Sequence, residues 1–339
     1  MSLMLDEARS APEIIRGQLR LNTPMMVDLG KQLRQSPPVS AVTVARGSSD
    51  HAASYFAYLC MKQRGIPVAS LPPSLTTLAK APWQASGHLA MAVSQSGQSP
   101  DLIATQQALA TSGACTLALL NTPASPLGAA SGTEVLLHAG EEKSVAATKS
   151  YLATLSAMAQ LLGHWSEDRS LLTSLDGLPE RLEQALVQDW LPAVEALQTA
   201  DRLMVIGRGA GLAVAQEAAL KFKETCAIQA EAFSGAEVRH GPMALIGPDY
   251  PVLIFAPPGP EQAGLLTLAE WLESVGAKVL LAADASVAKR QLTLVDAGHD
   301  DLQPLSAIQS FYVMVAALAA ARGSDPDRPR HLNKVTCTL

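Results

Sequence analysis

The stretch Leu89-Ala-Met-Ala-Val93, Ser94-Gln-Ser-Gly-Gln-Ser99, Pro100-Asp-Leu-Ile103 decides the fold. A short apolar run gives way to a polar turn, and the turn to a helix start. Pro100 suits the first helical position, where no backbone N–H is needed, and Ser99 is an N-cap residue for a helix running to about Thr111. The N–H groups of that helix start and the positive end of its dipole face the loop, and three serine hydroxyls and a glutamine amide add neutral donors. Such a loop can hold a phosphate without lysine. Six residues alone fit an ordinary hydroxyl-rich βα loop equally well.

Outward from this unit the same strand, loop, helix pattern repeats. Residues 4–35 carry helical periodicity on either side of Pro24, which predicts two helices. Val39 to Ala45 is a β-branched run ending in Arg46-Gly-Ser-Ser49, followed by a helix from His51 to Arg64. Pro67 to Leu71, Cys115 to Leu120 and Val135 to His138 read as further strands, and Thr148 to Trp165 as a long apolar helix. Strands alternating with helices at this spacing predict an α/β fold, a parallel sheet covered on both faces. After Asp176-Gly177 and a helix from about Glu180 to Thr199, broken near Pro192, the pattern restarts. Leu203 to Ile206 is a strand, Gly207 to Gly211 a glycine loop, Leu212 to Ile228 a helix; Val252 to Ala256 and Lys278 to Ala282 are strands around a helix from Glu261 to Val275, and Asp301 to Arg322 is a last helix. Glycine loops after the first strand of each half indicate duplication of one module. The predicted division is a lead-in at 1–34, a first module at 35–167, a linker helix at 168–198, a second module at 199–323 and a tail at 324–339.

Composition narrows the function classes. The 339 residues suffice for two domains, and 48% hydrophobic with 17% charged residues suits a packed globular chain. A formal charge of −6 gives no electrostatic basis for broad nucleic-acid binding. The four cysteines, Cys60, Cys115, Cys226 and Cys337, form no C-x-x-C pair, and the seven histidines show no H-E-x-x-H spacing or cysteine cluster. No metal is expected. The longest apolar run, Tyr312 to Ala321, is too short to span a bilayer, and the N-terminus has no basic region before an apolar core; a reduced, cytoplasmic protein away from membranes is expected. Gly207-x-Gly-x-Gly is not the G-x-G-x-x-G of a dinucleotide site.

Three places carry groups that can move protons. Glu217, Lys221 and Glu224 share one helix face at i, i+4 and i+7, either as a solvated charged stripe or facing a ligand crevice. His240, in Glu237-Val-Arg-His-Gly-Pro-Met243, is either a surface loop residue or a proton carrier at neutral pH. Lys334 lies in a polar tail that is either solvated or folded back over a site.

Taken together, Gly47-Ser-Ser49, Ser94 to Ser99, Ser144-Val-Ala-Ala-Thr-Lys149, Ala219-Leu-Lys-Phe-Lys-Glu224, the run Glu231 to Leu245, and Asp327-Arg-Pro-Arg-His-Leu-Asn-Lys334 resemble the sugar isomerase (SIS) family. The likeness is to the isomerase half of the glutamine:fructose-6-phosphate amidotransferases, and it covers residues 8 to 338. It implies two tandem SIS modules of flavodoxin-like, three-layer form. It implies that Ser49, Ser94, Gln95, Ser96 and Ser99 hold a sugar phosphate, with Ser48, Val145 and Ala146 near the sugar. Glu224 would shuttle a proton between C1 and C2. His240 would assist ring opening from a partner subunit, so a homodimer with a shared site is implied. Lys334 would sit at the open-chain sugar, and Lys221 would bind an intermediate's oxygen or tune Glu224. No cofactor is implied. About 35 residues precede the first module, so no glutaminase is expected, and release of ammonia from glucosamine 6-phosphate is the expected reaction. Ala147 stands where the synthases carry a serine. Fructosamine-6-phosphate deglycase, galactosamine-6-phosphate deaminase, phosphosugar isomerase and a non-catalytic sugar-phosphate regulator are the alternatives.

Overall fold

A computed structural model of the chain describes residues 2–334; Cys337 lies outside them. The chain divides into two units. The N-terminal unit takes Glu13–Glu142, Lys149–Leu175 and the tail from Asn333; the C-terminal unit takes the chain up to Pro12, Lys143–Thr148 and Asp176–Leu332.

The N-terminal unit contains most of α1 (Leu3–Gln35), then β1 (Ser40–Val44), α2 (Ser48–Arg64), β2 (Val68–Ser70), α3 (Ser74–Thr77), β3 (His88–Ser94), α4 (Pro100–Thr111), β4 (Cys115–Leu120), α5 (Pro126–Ala129), β5 (Thr133–Leu136), α6 (Lys149–Ser166) and α7 (Arg169–Asp176). Its sheet has the order β2-β1-β3-β4-β5, all parallel. The central strands are buried runs without alternation, as expected for a sheet covered on both faces.

The two helices predicted around Pro24 are one. α1 runs unbroken through Pro12 and Pro24, although a proline inside a helix costs about 3 kcal/mol. Its inward stripe explains why. Ile15, Leu19, Met26 and Leu33 are buried, and the amides of Gln18 and Asn22 donate to the carbonyls of Leu137, Ala153 and Leu136 at 2.9 Å. Pro24 and Arg20 are exposed, so the carbonyl that Pro24 cannot satisfy faces water. Tertiary packing outweighs the local penalty.

The C-terminal unit continues with α8 (Leu178–Leu186), α9 (Leu191–Leu197), β6 (Arg202–Gly207), α10 (Gly211–Cys226), β7 (Gln229–Ser234), β8 (Pro251–Ala256), α11 (Gln262–Ser274), β9 (Lys278–Ala283), β10 (Leu292–Thr293) and α12 (Gln303–Ala321). The predicted linker helix is instead α7, α8 and α9. Pro179 and Pro192 each lie in a first turn, so they start helices rather than break one.

The second sheet has the order β10-β9-β8-β6-β7, again parallel. Counted from its own first strand, each sheet runs second, first, third, fourth, fifth, so the duplication holds at the level of topology. β7 carries no apolar run in the sequence, because it is an edge strand with Glu231 in its middle. Asp300–Ala321 has the length and hydropathy of a membrane span, yet it is a core helix with 78% of that window buried. Its Phe311 meets Phe222 of α10 edge-on at 5.1 Å and Phe255 of β8 at 6.3 Å between ring centres, which fixes α10 in place.

Candidate functional site

In the N-terminal unit the strand order reverses between β1 and β3, and a crevice opens beyond their carboxyl ends. A cavity of about 380 Å³ lies there, lined by Ser49, Ser94, Gln95, Ser96, Ser99, Arg46 and Lys334 among others. Backbone geometry shapes the serine loop. Gly97 has φ +64°, and a Cβ on it would lie 2.2 Å from the Ser125 hydroxyl, so glycine is required there. The Ser94 hydroxyl accepts from Gly97 N at 3.1 Å, and Gln95 O accepts from Asn121 N at 3.1 Å. Ser99 occupies the N-cap position of α4 in extended conformation, as predicted, but its hydroxyl makes no cap hydrogen bond.

Two buried acidic residues stand behind the cavity's two cations, Arg46 and Lys334, and carry no signal in the sequence. Asp101, in the first turn of α4, is buried and accepts from Arg46 through Nε at 3.2 Å and Nη2 at 2.8 Å. Glu142, in the loop before α6, is buried; its Oε1 accepts from Ser150 N at 3.1 Å and its Oε2 from Ser150 Oγ at 2.5 Å. Lys334 Nζ lies 3.2 Å from the same Oε2. The tail lysine is therefore folded onto the serine-loop cavity rather than solvated. Earlier in the tail, Asp327 accepts from the backbone N–H of Leu3 at 2.7 Å and of Met4 at 2.8 Å, capping α1 from 324 residues away.

In the C-terminal unit the charged stripe of α10 is not solvated. Lys221 is 1% exposed, with Nζ 2.6 Å from Glu224 Oε2 and 3.2 Å from Glu217 Oε1. Tyr312 of α12 donates to Glu217 Oε1 at 3.3 Å. Burial alone would pull the Lys221 ammonium down, but the two carboxylates outweigh it and its pKa is pushed up to about 12. Glu224 is 16% exposed and opens onto a cavity of about 880 Å³ lined also by Lys223, Arg328 and Arg330. This is not the crevice at the carboxyl ends of the second sheet. α10 begins there with Gly211 and runs back along the sheet, so Glu224 lies about 20 Å away at the other edge.

Four expected residues are not among those lining either cavity. Ser48 is at the first turn of α2 and is not among the cavity's lining residues. Val145 and Ala146 lie in the C-terminal unit, in a segment where Glu7 accepts from the backbone N–H of Lys143 and Ser144. His240 is exposed, beside Gly241 with φ +127°, and lines neither of the two cavities. No group of three or more His, Cys, Asp or Glu placed to hold a metal occurs among the described residues.

Comparison with known proteins supplies the context. The SIS domain family matches residues 33–163 and 196–321. A protein from Silicibacter pomeroyi proposed to be a phosphosugar isomerase is 41% identical, with a TM-score of 0.91 over 96% of this chain and 100% of that one. Glutamine–fructose-6-phosphate aminotransferase [isomerizing] of Thermus thermophilus is 31% identical over 91% of this chain and 54% of its own length. The chain thus spans about half the length of the aminotransferases it matches. A glucosamine-6-phosphate deaminase from Thermotoga maritima, 20% identical with a TM-score of 0.73 over 96% of this chain and 100% of that one, shares the fold.

Proposed function

The chain belongs to the SIS domain family, and from that premise we propose that this two-module enzyme is an isomerising glucosamine-6-phosphate deaminase. It would convert glucosamine 6-phosphate and water to fructose 6-phosphate and ammonia. The observation that carries the reading is the array on α10, a carboxylate at a cavity rim held by a buried lysine that a second buried carboxylate backs. Moving a proton between C1 and C2 of a sugar needs such a fixed base, and fixed charge lowers its barrier. The names of the relatives join isomerisation to an amine on a phosphosugar. The deaminase is that chemistry run in reverse.

In this reading Ser49, Ser94, Gln95, Ser96 and Ser99 anchor the phosphate, with Ser48, Val145 and Ala146 beside the sugar. His240, supplied by the partner in a homodimer, opens the ring. Glu224 takes the proton from C2 of the open-chain aldehyde while the C1 carbonyl oxygen takes one from the C2 ammonium, and returning the first proton to C1 leaves a C1 hydroxymethyl and a C2 iminium. Water adds to C2, and ammonia leaves as the C2 carbonyl forms. Lys334 steadies the sugar oxygens, and Lys221 holds Glu224 in place and balances its charge. Proton transfer and hydrolysis account for every atom.

The test is ammonia release by the purified protein, without added metal, from glucosamine 6-phosphate, galactosamine 6-phosphate and a fructosamine 6-phosphate in parallel. Release from the first alone is expected. Silence on all three by a folded protein that binds phosphosugar would end the deaminase reading and leave isomerase or sensor in its place.

A further inference from the structure

The serine loop offers only neutral donors, yet two cations, Arg46 and Lys334, face its cavity. Each is backed by a buried carboxylate, Asp101 behind Arg46 and Glu142 behind Lys334. Arg46 leaves the carboxyl end of β1 immediately before Gly47 opens α2. One edge of its guanidinium is gripped, with Nε and Nη2 on Asp101 Oδ2 at 3.2 and 2.8 Å. Asp101 Oδ1 in turn accepts from Leu102 N at 2.9 Å, so both carboxylate oxygens are committed. The Arg46 side chain is still 52% exposed against 1% for Asp101. Of the five N–H donors of a guanidinium, those on Nη1 and one on Nη2 point away from the gripped edge.

Building on the phosphate-loop reading, we propose that Arg46 is the charged ligand of the substrate's phosphate and that Asp101 is its positioning residue. Asp101 sits in the first turn of the helix whose start faces the cavity, where an unbalanced carboxylate would repel a phosphate. Arg46 cancels that charge. It also presents a planar fork that matches two phosphate oxygens, which a lysine cannot do. The substrate class sharpens accordingly to a terminal phosphate monoester bound as its dianion, in preference to a diester or an unphosphorylated sugar.

Calorimetric titration with inorganic phosphate tests this on the wild type, Arg46→Ala, Arg46→Lys and the double variant Arg46→Ala/Asp101→Asn, with thermal melting of each. Removing Arg46 alone leaves Asp101 buried without its counter-charge, so the double variant serves as the folded control. Arg46→Ala is expected to weaken binding about 10- to 100-fold, with Arg46→Lys between it and wild type. The double variant should stay at least about tenfold weaker, because the contact itself is gone. With fructose 6-phosphate, wild-type affinity should fall below the phosphate's second pKa of about 6, and fall less in Arg46→Ala. Equal phosphate affinity in wild type and Arg46→Ala overturns the assignment and leaves the phosphate-loop reading standing. Wild-type affinity in the double variant also overturns it, reducing Arg46 to a neutraliser of Asp101. A wild type that binds neither phosphate nor fructose 6-phosphate overturns both.

Discussion

Replacing Lys221 by methionine removes a charge and keeps the length of the side chain. In the native protein its Nζ lies 2.6 Å from Glu224 and 3.2 Å from Glu217, and Glu217 is wholly buried. Removing one partner of a buried ion pair costs about 3–5 kcal/mol, because a charge is left without compensation. Protonation of Glu217 sets a ceiling on that loss. At pH 7, about 2.7 units above a free glutamate's pKa near 4.3, taking up the proton costs about 3.7 kcal/mol; at pH 5 it costs about 1 kcal/mol. The destabilisation of Lys221→Met should therefore shrink from about 4 to about 1 kcal/mol between pH 7 and pH 5. The alkaline side gives the opposite sign. The native ammonium, pushed up from 10.5 to about 12, contributes about 2 kcal/mol that is complete below pH 10.5 and is lost as pH rises through 12. That loss should be missing from the variant. Urea unfolding followed by circular dichroism at several pH values checks both limbs, read from the transition that moves between the two proteins. A loss below about 1 kcal/mol at pH 7, or one that does not change between pH 5 and 7, would refute the claim that Lys221 neutralises the two carboxylates.

Gly97→Ala should destabilise the protein by about 1–3 kcal/mol and abolish phosphate binding, since the residue has φ +64° and its Cβ would strike Ser125; thermal melting and phosphate titration check this, and unchanged binding would count against the loop geometry. Glu142→Gln keeps an acceptor for Ser150 N but loses the counter-charge of Lys334. It should leave the melting temperature nearly unchanged while lowering turnover of glucosamine 6-phosphate, and a variant with full turnover would remove Glu142 from the account. Asp327→Ala uncaps α1 and unties the tail, so a stability loss of about 1 kcal/mol with a larger fall in turnover than in phosphate affinity is expected in unfolding and steady-state assays. Pro24→Ala restores an N–H to an exposed helix position and should raise the urea midpoint by the equivalent of about 1–3 kcal/mol; no gain would show that α1 already absorbs the proline without cost.

Much of the fold was legible because buried parallel strands are continuous apolar runs and their loops carry glycine and serine. The bounds predicted for β4 and α4 match the structure, and the repeat of glycine loops after β1 and β6 implies two sheets of one topology. The misses have local causes. Pro24 looked like a break because nothing nearby shows that Gln18, Asn22 and Leu33 anchor the helix inward. The serine loop was legible as a loop, and Glu224 as part of a one-sided stripe. Whether that stripe was wet or buried depended on Tyr312 and α12, which are distant in sequence. Crevice logic pointed Glu224 to the carboxyl ends of its sheet, and the length of α10 carried it to the opposite edge. Arg46 with Asp101, and Lys334 with Glu142, are pairs separated by 55 and 192 residues. Only parallel strand pairing and the path of the tail bring them together.

Solvent-proton exchange at the sugar tests the central claim most directly. Fructose 6-phosphate and glucosamine 6-phosphate are incubated in D₂O with wild type or Glu224→Gln, and incorporation at C1 and C2 is read by proton NMR while phosphate binding is measured on the same preparations. The account expects wild type to exchange these positions. It expects Glu224→Gln, which retains phosphate affinity because the serine loop is untouched, to exchange at least about 100-fold more slowly. Exchange at the wild-type rate in Glu224→Gln would contradict it.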